Sequence, residues 1–448
     1  MLQPIIFAII TAAAFYLAGR NFLKIRRNIL LGKEVADDTP LVAGGRGNSA
    51  ERWRKVLLIA FGQKKMFDRP IPALLHFFIY AAFLLTQIEL IEILLDGFTG
   101  NHRMIGASLG GLYTFTISFI EILSVLAFVA TVIFLVRRNI LRIARFHNPE
   151  MKGWPTKDAN LILGLEILLL IGIFSMNGAD QVLQSMGADH YPQTGHFLVS
   201  SSLGPAMFGG MSEGALHVVE RFGWWLHILV VYGFLIYLSI SKHLHIMLAF
   251  PNTYFAKLTP IGEFTNMPEI QREVASMMNP EAAPAPAAEP EVELSFGAND
   301  VTKLSWKNLL DAYTCTECGR CTSVCPANLT GKKLSPRKIM MDVRDRMEEV
   351  GKAMDAAKSA TPIADGKTLF DYISREEIHA CTTCNACVEA CPVLIDPLDI
   401  ILQLRRHEIL MESAGPSDWL PLFNSLENSQ AAWAVSTERD GWKNGLAV

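Results

Sequence analysis

The sequence predicts a mainly α-helical protein, in which a five-helix transmembrane bundle precedes a small α-helical domain in the cytoplasm. Half of the 448 residues are apolar and only 19% are charged, whereas a soluble globular chain carries about 25% charged residues. Residues 1–248 carry 21 Lys and Arg against 16 Asp and Glu, and residues 249–448 carry 19 against 28. All eight cysteines lie in the second, acidic part. A basic footprint for nucleic acid is absent.

Five apolar segments approach or exceed the roughly 20 residues needed to cross a hydrocarbon layer. These predicted spans lie near 1–19, 71–95, 108–136, 159–178 and 222–247. The positive charge of the first segment follows its apolar run, whereas a cleaved signal peptide has its positive charge before that run. The first segment is therefore predicted to remain as a membrane helix.

The loop charges predict the orientation of the spans. Segment 20–69 holds 12 Lys and Arg and segment 137–157 holds six, whereas 97–107 and 179–222 hold one each. Because basic loops stay in the cytoplasm, we expect an external N-terminus and a cytoplasmic second part in a bacterial inner membrane. The mixed basic and apolar stretch 49–67 is typical of a helix lying in the membrane interface.

The composition changes again after the fifth span. Residues 283–293 read APAPAAEPEVE, a linker of extended, semi-rigid type. We predict a membrane domain at 1–250, a linker at 251–299, a soluble domain at 300–415 and a C-terminal tail at 416–448.

The cysteines form two copies of one motif, CTECGRCTSVCP and CTTCNACVEACP. This C-x2-C-x2-C-x3-C-P spacing is that of bacterial ferredoxins, in which the fourth cysteine ligates the other of two clusters. Zinc sites favour two separated cysteine pairs, and disulfides do not explain a duplicated tight spacing; both are minor alternatives. We predict two [4Fe-4S] clusters, the first held by Cys315, Cys318, Cys321 and Cys391, and the second by Cys325, Cys381, Cys384 and Cys387.

The gap between Cys325 and Cys381 is 55 residues long, and helical periodicity is seen at 336–357 within it and at 396–413 after the second motif. In this the region resembles the helical ferredoxin domain of succinate dehydrogenase iron–sulfur subunits and of the C-type subunit of heterodisulfide reductase. The phrases CGRCTSVCPA and CVEACPVLIDPLDIILQLRR are similar to the second of these families.

Four histidines are placed at informative depths in the predicted spans. His227 and His245 are 18 residues, or five helical turns, apart, and would share one face of a continuous helix about 27 Å apart, whereas His243 would point about 160° away. His76 would lie at the depth of His245, so that the two could bracket one haem iron. The alternative for each is a packed or snorkelling side chain, although intramembrane ionisable groups tend to be functional.

The phrases PALLHFFIYAAFLL and WWLHILVVYGFLIYLSISKHLHIMLAFP resemble spans two and five of the respiratory nitrate reductase gamma subunit and related cytochrome b subunits. The resemblance implies a proximal haem b on His76 and His245. It also implies a distal haem on His227, but the family's second histidine on span two is Thr86 here. The distal haem is either lost or completed by a histidine of the outer loop: His190, His196 or His217.

Three carboxylates, Glu89, Glu121 and Glu166, lie within predicted spans. Each either pairs inside the bundle or serves quinone or proton binding, and the sequence does not choose between these roles. His102 is expected to be an ordinary outer-loop residue.

These features together predict a membrane-anchored electron-transfer subunit. It would connect membrane quinone, haem b and two clusters to a cytoplasmic partner, namely a subunit with a cysteine-rich CCG domain or an electron-transfer flavoprotein. Residues 422–442 resemble the stretch that precedes the CCG domain in longer relatives, and we expect this tail to dock the partner through Trp433 and Trp442. The alternatives are a complete quinone-linked dehydrogenase and a membrane iron–sulfur sensor.

Overall fold

The protein is almost entirely helical in the part of the chain that is described. The computed structural model describes residues 2–35, 48–278, 295–432, 440–441 and 443. Over these ranges no β-strand occurs, and one isolated bridge joins Lys33 to Ser305. The mainly α fold class is confirmed. The 283–293 linker sequence, Trp433 and Trp442 lie outside the described residues.

Nine α-helices make up the N-terminal part of the described chain. They are α1 (Leu2–Ile29), α2 (Ser49–Lys55), α3 (Pro70–Thr99), α4 (Gly106–Leu109), α5 (Gly111–Asn139), α6 (Trp154–Met186), α7 (Ser200–Phe208), α8 (Glu213–Tyr237) and α9 (His245–Tyr254). Among the described helices, α1, α3, α5, α6 and α8 with its extension to Ile240 are long and apolar enough to cross a membrane. The five candidate spans predicted from hydropathy are confirmed.

The first helix is longer than its apolar run. It continues through the basic cluster to Ile29, because its end packs on the soluble domain. Ile25 belongs to the apolar core of that domain, Asn28 Nδ2 donates to the hydroxyl of Tyr313 at 3.0 Å, and Arg27 pairs with Asp355. The basic residues after the apolar run therefore form part of a helix that joins the two domains.

The sequence predicts one continuous helix for the fifth span, 222–247. This prediction is wrong, because the helix breaks before residue 247. After α8 a 3-10 turn covers Leu238–Ile240, Ser241 is extended with φ −118° and ψ 151°, and α9 begins at His245. The cause is Asp158 on α6, whose carboxylate accepts from Ser241 Oγ at 2.8 Å and from the backbone N–H of Lys242 at 3.0 Å. These bonds replace helical hydrogen bonds and turn the chain.

Small residues allow a close contact between α6 and α8. A Cβ added at Gly223 of α8 would lie 2.7 Å from the backbone nitrogen of Met176 of α6, and one at Gly172 would lie 3.1 Å from that of His227. Glycine at such positions permits close backbone approach in membrane bundles. Near this contact Phe7, Trp224 and Tyr232 form an aromatic part of the core.

The C-terminal part contains a second compact core. Its described helices are α10 (Pro268–Met278), α11 (Trp306–Thr314), α12 (Pro326–Leu329), α13 (Pro336–Ala357), α14 (Arg375–His379), α15 (Ala386–Glu389), α16 (Pro397–Leu410) and α17 (Trp419–Ser429). Side-chain caps at Ser335 and Asp396, each followed by proline, set the starts of α13 and α16. Below we call residues 295–410 the ferredoxin-type domain.

The basic ends of the membrane helices meet this domain. Arg69 Nη2 donates to Ser323 Oγ at 2.8 Å, and Lys242 Nζ lies 2.5 Å from Glu317. Arg337, fully buried, pairs with Glu150 at 2.7 Å. The two predicted basic loops therefore lie on the same side of the bundle as the ferredoxin-type domain.

Residues assigned to the linker also pack on this domain. Asn252 Nδ2 donates to the carbonyl of Val393 at 2.9 Å, Lys257 pairs with Asp396 at 2.8 Å, and Thr265 Oγ1 donates to Asp399 at 2.7 Å. The segment after α9 is therefore held against the soluble domain as far as residue 265.

Candidate metal and haem centres

The two cysteine motifs fold into equivalent loops. The second residue after the first cysteine is left-handed in both, at Glu317 (φ 54°) and Thr383 (φ 54°), and so is the fourth, at Gly319 (φ 70°) and Asn385 (φ 59°). Left-handed residues turn successive backbone N–H groups toward one side of a loop. The duplicated sequence spacing therefore produces a duplicated backbone.

Each loop directs backbone N–H groups toward sulfur. The N–H of Thr383 donates to Cys381 Sγ at 3.4 Å, and that of Ile395 donates to Cys391 Sγ at 3.3 Å. The N–H of Glu317 makes the corresponding bond to Cys315. Hydrogen bonds of this kind stabilise thiolate ligands of iron–sulfur clusters.

The cysteines are grouped across the two motifs. Burial is the main reason that the pKa of Cys391 rises to about 12, and the neighbouring thiols of Cys318 and Cys315 add to that rise. Cys325 lines one cavity together with the first three cysteines of the other motif, Cys381, Cys384 and Cys387. The fourth cysteine of each motif thus lies among the first three of the other.

The eight cysteines are all free thiols. Within the described ranges, no three His, Cys, Asp or Glu side chains converge closely enough to share one metal ion. In a cubane cluster each thiolate binds a different iron, so that the four sulfurs stand apart. The donor set and its N–H bonds fit [4Fe-4S] clusters better than a single zinc ion.

The two loops differ in their surroundings. Arg145 and Arg320 lie within electrostatic range of Cys318, and Arg320 also donates to the carbonyl of Lys65 at 3.1 Å. The first loop therefore faces the basic ends of the membrane helices. In the second loop Cys384 is exposed, so this loop opens to solvent.

His76 and His245 are brought together, as the sequence predicts. Their ring centres are 6.5 Å apart. Because a metal–imidazole bond is about 2 Å long, two imidazoles on opposite sides of one iron have ring centres roughly 6 Å apart. His76 Nδ1 bonds to Gln63 Oε1 at 3.1 Å and His245 Nδ1 bonds to the carbonyl of Lys242 at 2.9 Å. Both Nε2 atoms are thereby left as acceptors toward a metal.

His243 is placed differently from the expectation. Its ring centre lies 5.8 Å from that of His245, so it does not point about 160° away. The five-turn calculation fails because the helix breaks at Ser241. Unlike His76 and His245, His243 has no described hydrogen-bond partner for its buried Nδ1.

His227 is buried, and its Nδ1 bonds to the carbonyl of Leu169 at 3.2 Å. Among the described side chains, no histidine ring contacts it. Of the three outer-loop candidates, His190 and His196 are exposed, and His217 Nδ1 lies 3.2 Å from the hydroxyl of Tyr191. The described part of the chain therefore does not bring a second ligand to His227.

The three intramembrane carboxylates have three different environments. Glu89 accepts from Asn177 Nδ2 at 3.1 Å, and Glu121 accepts from the backbone N–H groups of Val199 at 2.8 Å and Ser200 at 3.0 Å. These two have pairing roles inside the bundle. Glu166 makes no hydrogen bond or ion pair with the described part of the chain.

The sequence reasoning missed a buried polar network at the end of the bundle away from the ferredoxin-type domain. Arg103, which is 3% exposed, pairs with Asp180 at 3.2 Å and donates to Asn177 Oδ1 at 2.5 Å. His102 Nε2 lies 2.9 Å from Asp180 and stacks against Tyr191, so it is more than a loop residue. A sequence feature that could have revealed this network is the spacing of three acidic residues in span two by three and four positions: Glu89, Glu92 and Asp96.

Comparison with known proteins confirms the prediction that the two cysteine loops belong to a 4Fe-4S dicluster domain. Residues 314–395 match the family model for 4Fe-4S dicluster domains. A segment of 110 residues is 34% identical to the C-type subunit of the Ferredoxin/F(420)H(2)-dependent CoB-CoM heterodisulfide reductase of Methanosarcina acetivorans, covering 24% of this chain and 53% of that protein. No solved structure matches the chain significantly.

Two longer relatives match most of the chain. The chain is 27% identical to the probable iron-sulfur-binding oxidoreductase FadF of Bacillus subtilis, over 99% of this chain and 61% of that protein. It is 26% identical to the EtfAB:quinone oxidoreductase of Syntrophomonas wolfei subsp. wolfei, over 89% of this chain and 55% of that protein. The chain thus spans somewhat more than half the length of either relative.

These matches do not test the resemblance of the membrane part to the nitrate reductase gamma subunit, which stays a prediction. The family model and the heterodisulfide reductase subunit match the ferredoxin-type domain, and the two longer relatives match most of the chain. The chain contains a 4Fe-4S dicluster domain and is homologous to iron-sulfur oxidoreductases and heterodisulfide reductase subunits.

Proposed function

We propose that this chain is a membrane-anchored electron-transfer subunit that connects a soluble redox partner to membrane quinone. Two [4Fe-4S] clusters and one haem b, when bound, would supply the one-electron carriers. The observation that carries the proposal is that the first cysteine loop faces the membrane bundle near His76, whereas the second loop exposes Cys384. The second cysteine loop is thus open to a soluble protein, whereas the first loop lies beside the membrane part.

We assign cluster one to Cys315, Cys318, Cys321 and Cys391, and cluster two to Cys325, Cys381, Cys384 and Cys387. The exchange of the fourth cysteine between the loops supports both sets. The backbone N–H groups of Glu317, Thr383 and Ile395 would stabilise the thiolates.

We assign haem b to His76 and His245. Their ring separation supports this pair, and the hydrogen bonds of both Nδ1 atoms hold the rings in the tautomer that ligation requires. A distal haem on His227 is not proposed, because no second histidine contacts it among the described residues.

The charges around the loops favour electron flow from cluster two to cluster one. Each loop has one paired carboxylate nearby: Glu317 pairs with Lys242 and Arg344, and Asp396 pairs with Lys257. The remaining arginines make the difference. A cluster becomes more negative on reduction, so positive charges close to it raise its reduction potential. Arg145 and Arg320 lie near Cys318 of cluster one. Cluster two has Arg405 near Cys381, but also Asp396 near Cys387.

The proposed partner is an electron-transfer flavoprotein. The printed name of the relative from Syntrophomonas wolfei, an EtfAB:quinone oxidoreductase, supports it. The similarity to the C-type subunit of heterodisulfide reductase favours a second candidate, a subunit with a CCG domain. We place the chain in a bacterial inner membrane with an external N-terminus, because the basic ends of the spans lie on the side of the ferredoxin-type domain.

The test uses the full chain purified in nanodiscs. We expect absorption bands of a reducible low-spin haem b and about eight non-haem irons per chain, from two four-iron clusters. Reduced electron-transfer flavoprotein should reduce both centres, and a quinone should reoxidise them. Stoichiometric zinc without iron, or no reducible haem, would contradict the corresponding assignment.

A further inference from the structure

A cavity lies where the two domains meet, at the membrane surface. It has a volume of about 70 Å³, whereas roughly 10–15 Å³ suffices for one water molecule. Its walls come from the start of α6, the turn between α8 and α9, the first cysteine loop and α13. It therefore has room for a small ring, and its lining includes Glu317 of the first cysteine loop and Leu244, the residue before His245.

The edge of this cavity is apolar on the side of the membrane bundle, whereas Asp345 of α13 is exposed on the other side. Trp154 is 49% exposed and Ile240 is 60% exposed, and they stand at the ends of the fourth and fifth candidate spans on the side of the ferredoxin-type domain. Tyr237 packs edge-on against Trp154, with ring centres 6.5 Å apart. Aromatic residues at this depth mark the membrane–water interface. A molecule dissolved in the lipid would thus reach the cavity without crossing water.

The interior is polar and supplies hydrogen bonds. Lys242 Nζ lies 2.5 Å from Glu317 Oε2 and 2.7 Å from the carbonyl of Pro155. An ammonium has three N–H donors. Its third polar neighbour, Asp158 Oδ2, is 3.9 Å away, which is beyond hydrogen-bond distance, so one donor remains for a ligand. Asp158 accepts from Tyr237, Ser241 and the backbone of Lys242. These bonds hold the lysine at the cavity wall.

The charge of the lining disfavours an anionic occupant. Lys242 and Arg344 supply two positive charges, whereas the acidic lining residues are Asp158, Glu317, Asp345 and Glu348. Both cations are also paired with Glu317. A lipid phosphate would meet an excess of negative charge, whereas a neutral ring with carbonyl acceptors would not.

One residue joins the cavity to both redox sites. The side chain of Lys242 contacts Glu317, which lies between Cys315 and Cys318. The carbonyl of the same lysine accepts from Nδ1 of His245 at 2.9 Å. The cavity thus lies between the first cysteine loop and the turn that carries a proposed haem ligand.

We propose that this cavity binds the ring of a membrane quinone, which deepens the proposed function and rests on it. The quinone would take two electrons, one at a time, from the reduced iron–sulfur clusters, and two protons from water on the side of the ferredoxin-type domain. The product is the quinol, with both carbonyl oxygens converted to hydroxyls. Lys242 would position the ring by donating to one carbonyl oxygen.

The experiment maps the site on the full chain in nanodiscs with a photoreactive azido-quinone. We expect labelled peptides that contain Trp154 or residues 239–242, and loss of label when an unmodified short-chain quinone competes. This map needs no variant.

A pair of variants sharpens the test. Ile240→Trp fills the apolar edge of the cavity and should lower labelling at least tenfold. Leu229→Trp, a lipid-facing change on α8 that is 46% exposed and outside the cavity, should leave it unchanged. Iron content and haem absorbance should be normal in both variants.

The outcomes separate the two proposals. Saturable labelling could instead occur elsewhere, such as around His227, and be unchanged in Ile240→Trp. That result would overturn the assignment of quinone to this cavity but would leave quinone as the proposed substrate. A complete absence of competable labelling would overturn both.

Discussion

The two cysteine loops share their spacing and their left-handed backbone positions, yet they lie in opposite surroundings. The first, at 315–325, is enclosed by basic residues from the membrane bundle, among them Arg69 and Arg145. The second, at 381–391, exposes Cys384, and its charged neighbours are Arg405 near Cys381 and Asp396 near Cys387. The comparison teaches that a repeated motif sets the local backbone of each loop, whereas the neighbouring domain sets the charge and the solvent exposure around it.

The prediction with the largest expected effect replaces one cysteine ligand in each loop and follows the two clusters separately. Cys318→Ser should convert or abolish cluster one only, because a serine oxygen is a harder ligand than a thiolate. Iron should fall from about eight to about four per chain if the cluster is lost, while the signal of cluster two persists. Cys384→Ser is the matched change in the other loop. Loss of both clusters from either single change, in a protein that stays folded, would contradict the separate sets.

The second prediction concerns the haem beside the first loop. His76→Ala and His245→Ala should each remove the same low-spin haem signal from the optical spectrum, because both rings would ligate one iron. His243→Ala should retain the haem, since His243 lacks the hydrogen bond that orients a ligating imidazole. If the haem survives in His245→Ala and disappears in His243→Ala, the assignment moves to His243.

A third prediction tests the difference in charge. Arg145→Gln should lower the reduction potential of cluster one by roughly tens of millivolts, because it removes a nearby positive charge that favours the more negative, reduced cluster. Redox titration followed by electron paramagnetic resonance measures the shift. Arg405→Gln, near Cys381, should move cluster two instead. Equal shifts in the reduction potentials of both clusters in either variant would contradict the proposed difference in their electrostatic surroundings.

The contact between Glu150 and the start of α13 should depend on pH. Burial alone would raise the pKa of Glu150, but its hydrogen bonds with Arg337 and Ser335 outweigh that effect and hold the pKa below its ordinary value. A lowered folded-state pKa stabilises the protein above the unfolded pKa, and this stabilisation is lost as the pH falls through the folded value. Glu150→Gln should therefore cost about 1.5–3 kcal/mol near pH 7.

That cost should shrink as the pH falls below about 4.5, the ordinary range of a glutamate pKa. Urea unfolding of wild type and variant between pH 7 and pH 3 measures it. Glu376→Gln, in the exposed ion pair of Glu376 with Lys333, is the control and should show little effect at either pH, because exposed ion pairs contribute little to stability. A constant difference for Glu150→Gln across this range would contradict the pKa argument.

The smallest expected effect concerns docking near the second loop. In α17 the ring of Trp419 packs against His379 at 4.9 Å, while Leu420, Phe423 and Leu426 are exposed. Truncation after Glu412 should leave both clusters and the haem spectroscopically normal but weaken co-purification with the soluble partner. Leu420→Asp should weaken it less. Wild-type electron transfer by the truncated chain would show that the tail only packs on its own domain.

Much of the architecture followed from local patterns. Hydropathy predicted the five candidate spans, because each must satisfy its backbone hydrogen bonds internally over the width of a membrane. The cysteine spacing predicted the dicluster domain, because three thiolates two residues apart already define a loop. Periodicity failed for the fifth span, where the carboxylate of Asp158 on another helix breaks the turn before His245.

The sequence by itself determined the element types, the positions of the candidate spans and the presence of a 4Fe-4S dicluster domain, since all of these depend on neighbours a few residues apart. Only the tertiary structure decided that His243 stands beside His245, that Arg103 gathers carboxylates from separate helices, and that one lysine touches both the first cysteine loop and the histidine turn. The physical reason is that these contacts join residues distant in the chain. Their energies depend on charge and burial in three dimensions, which no local spacing records.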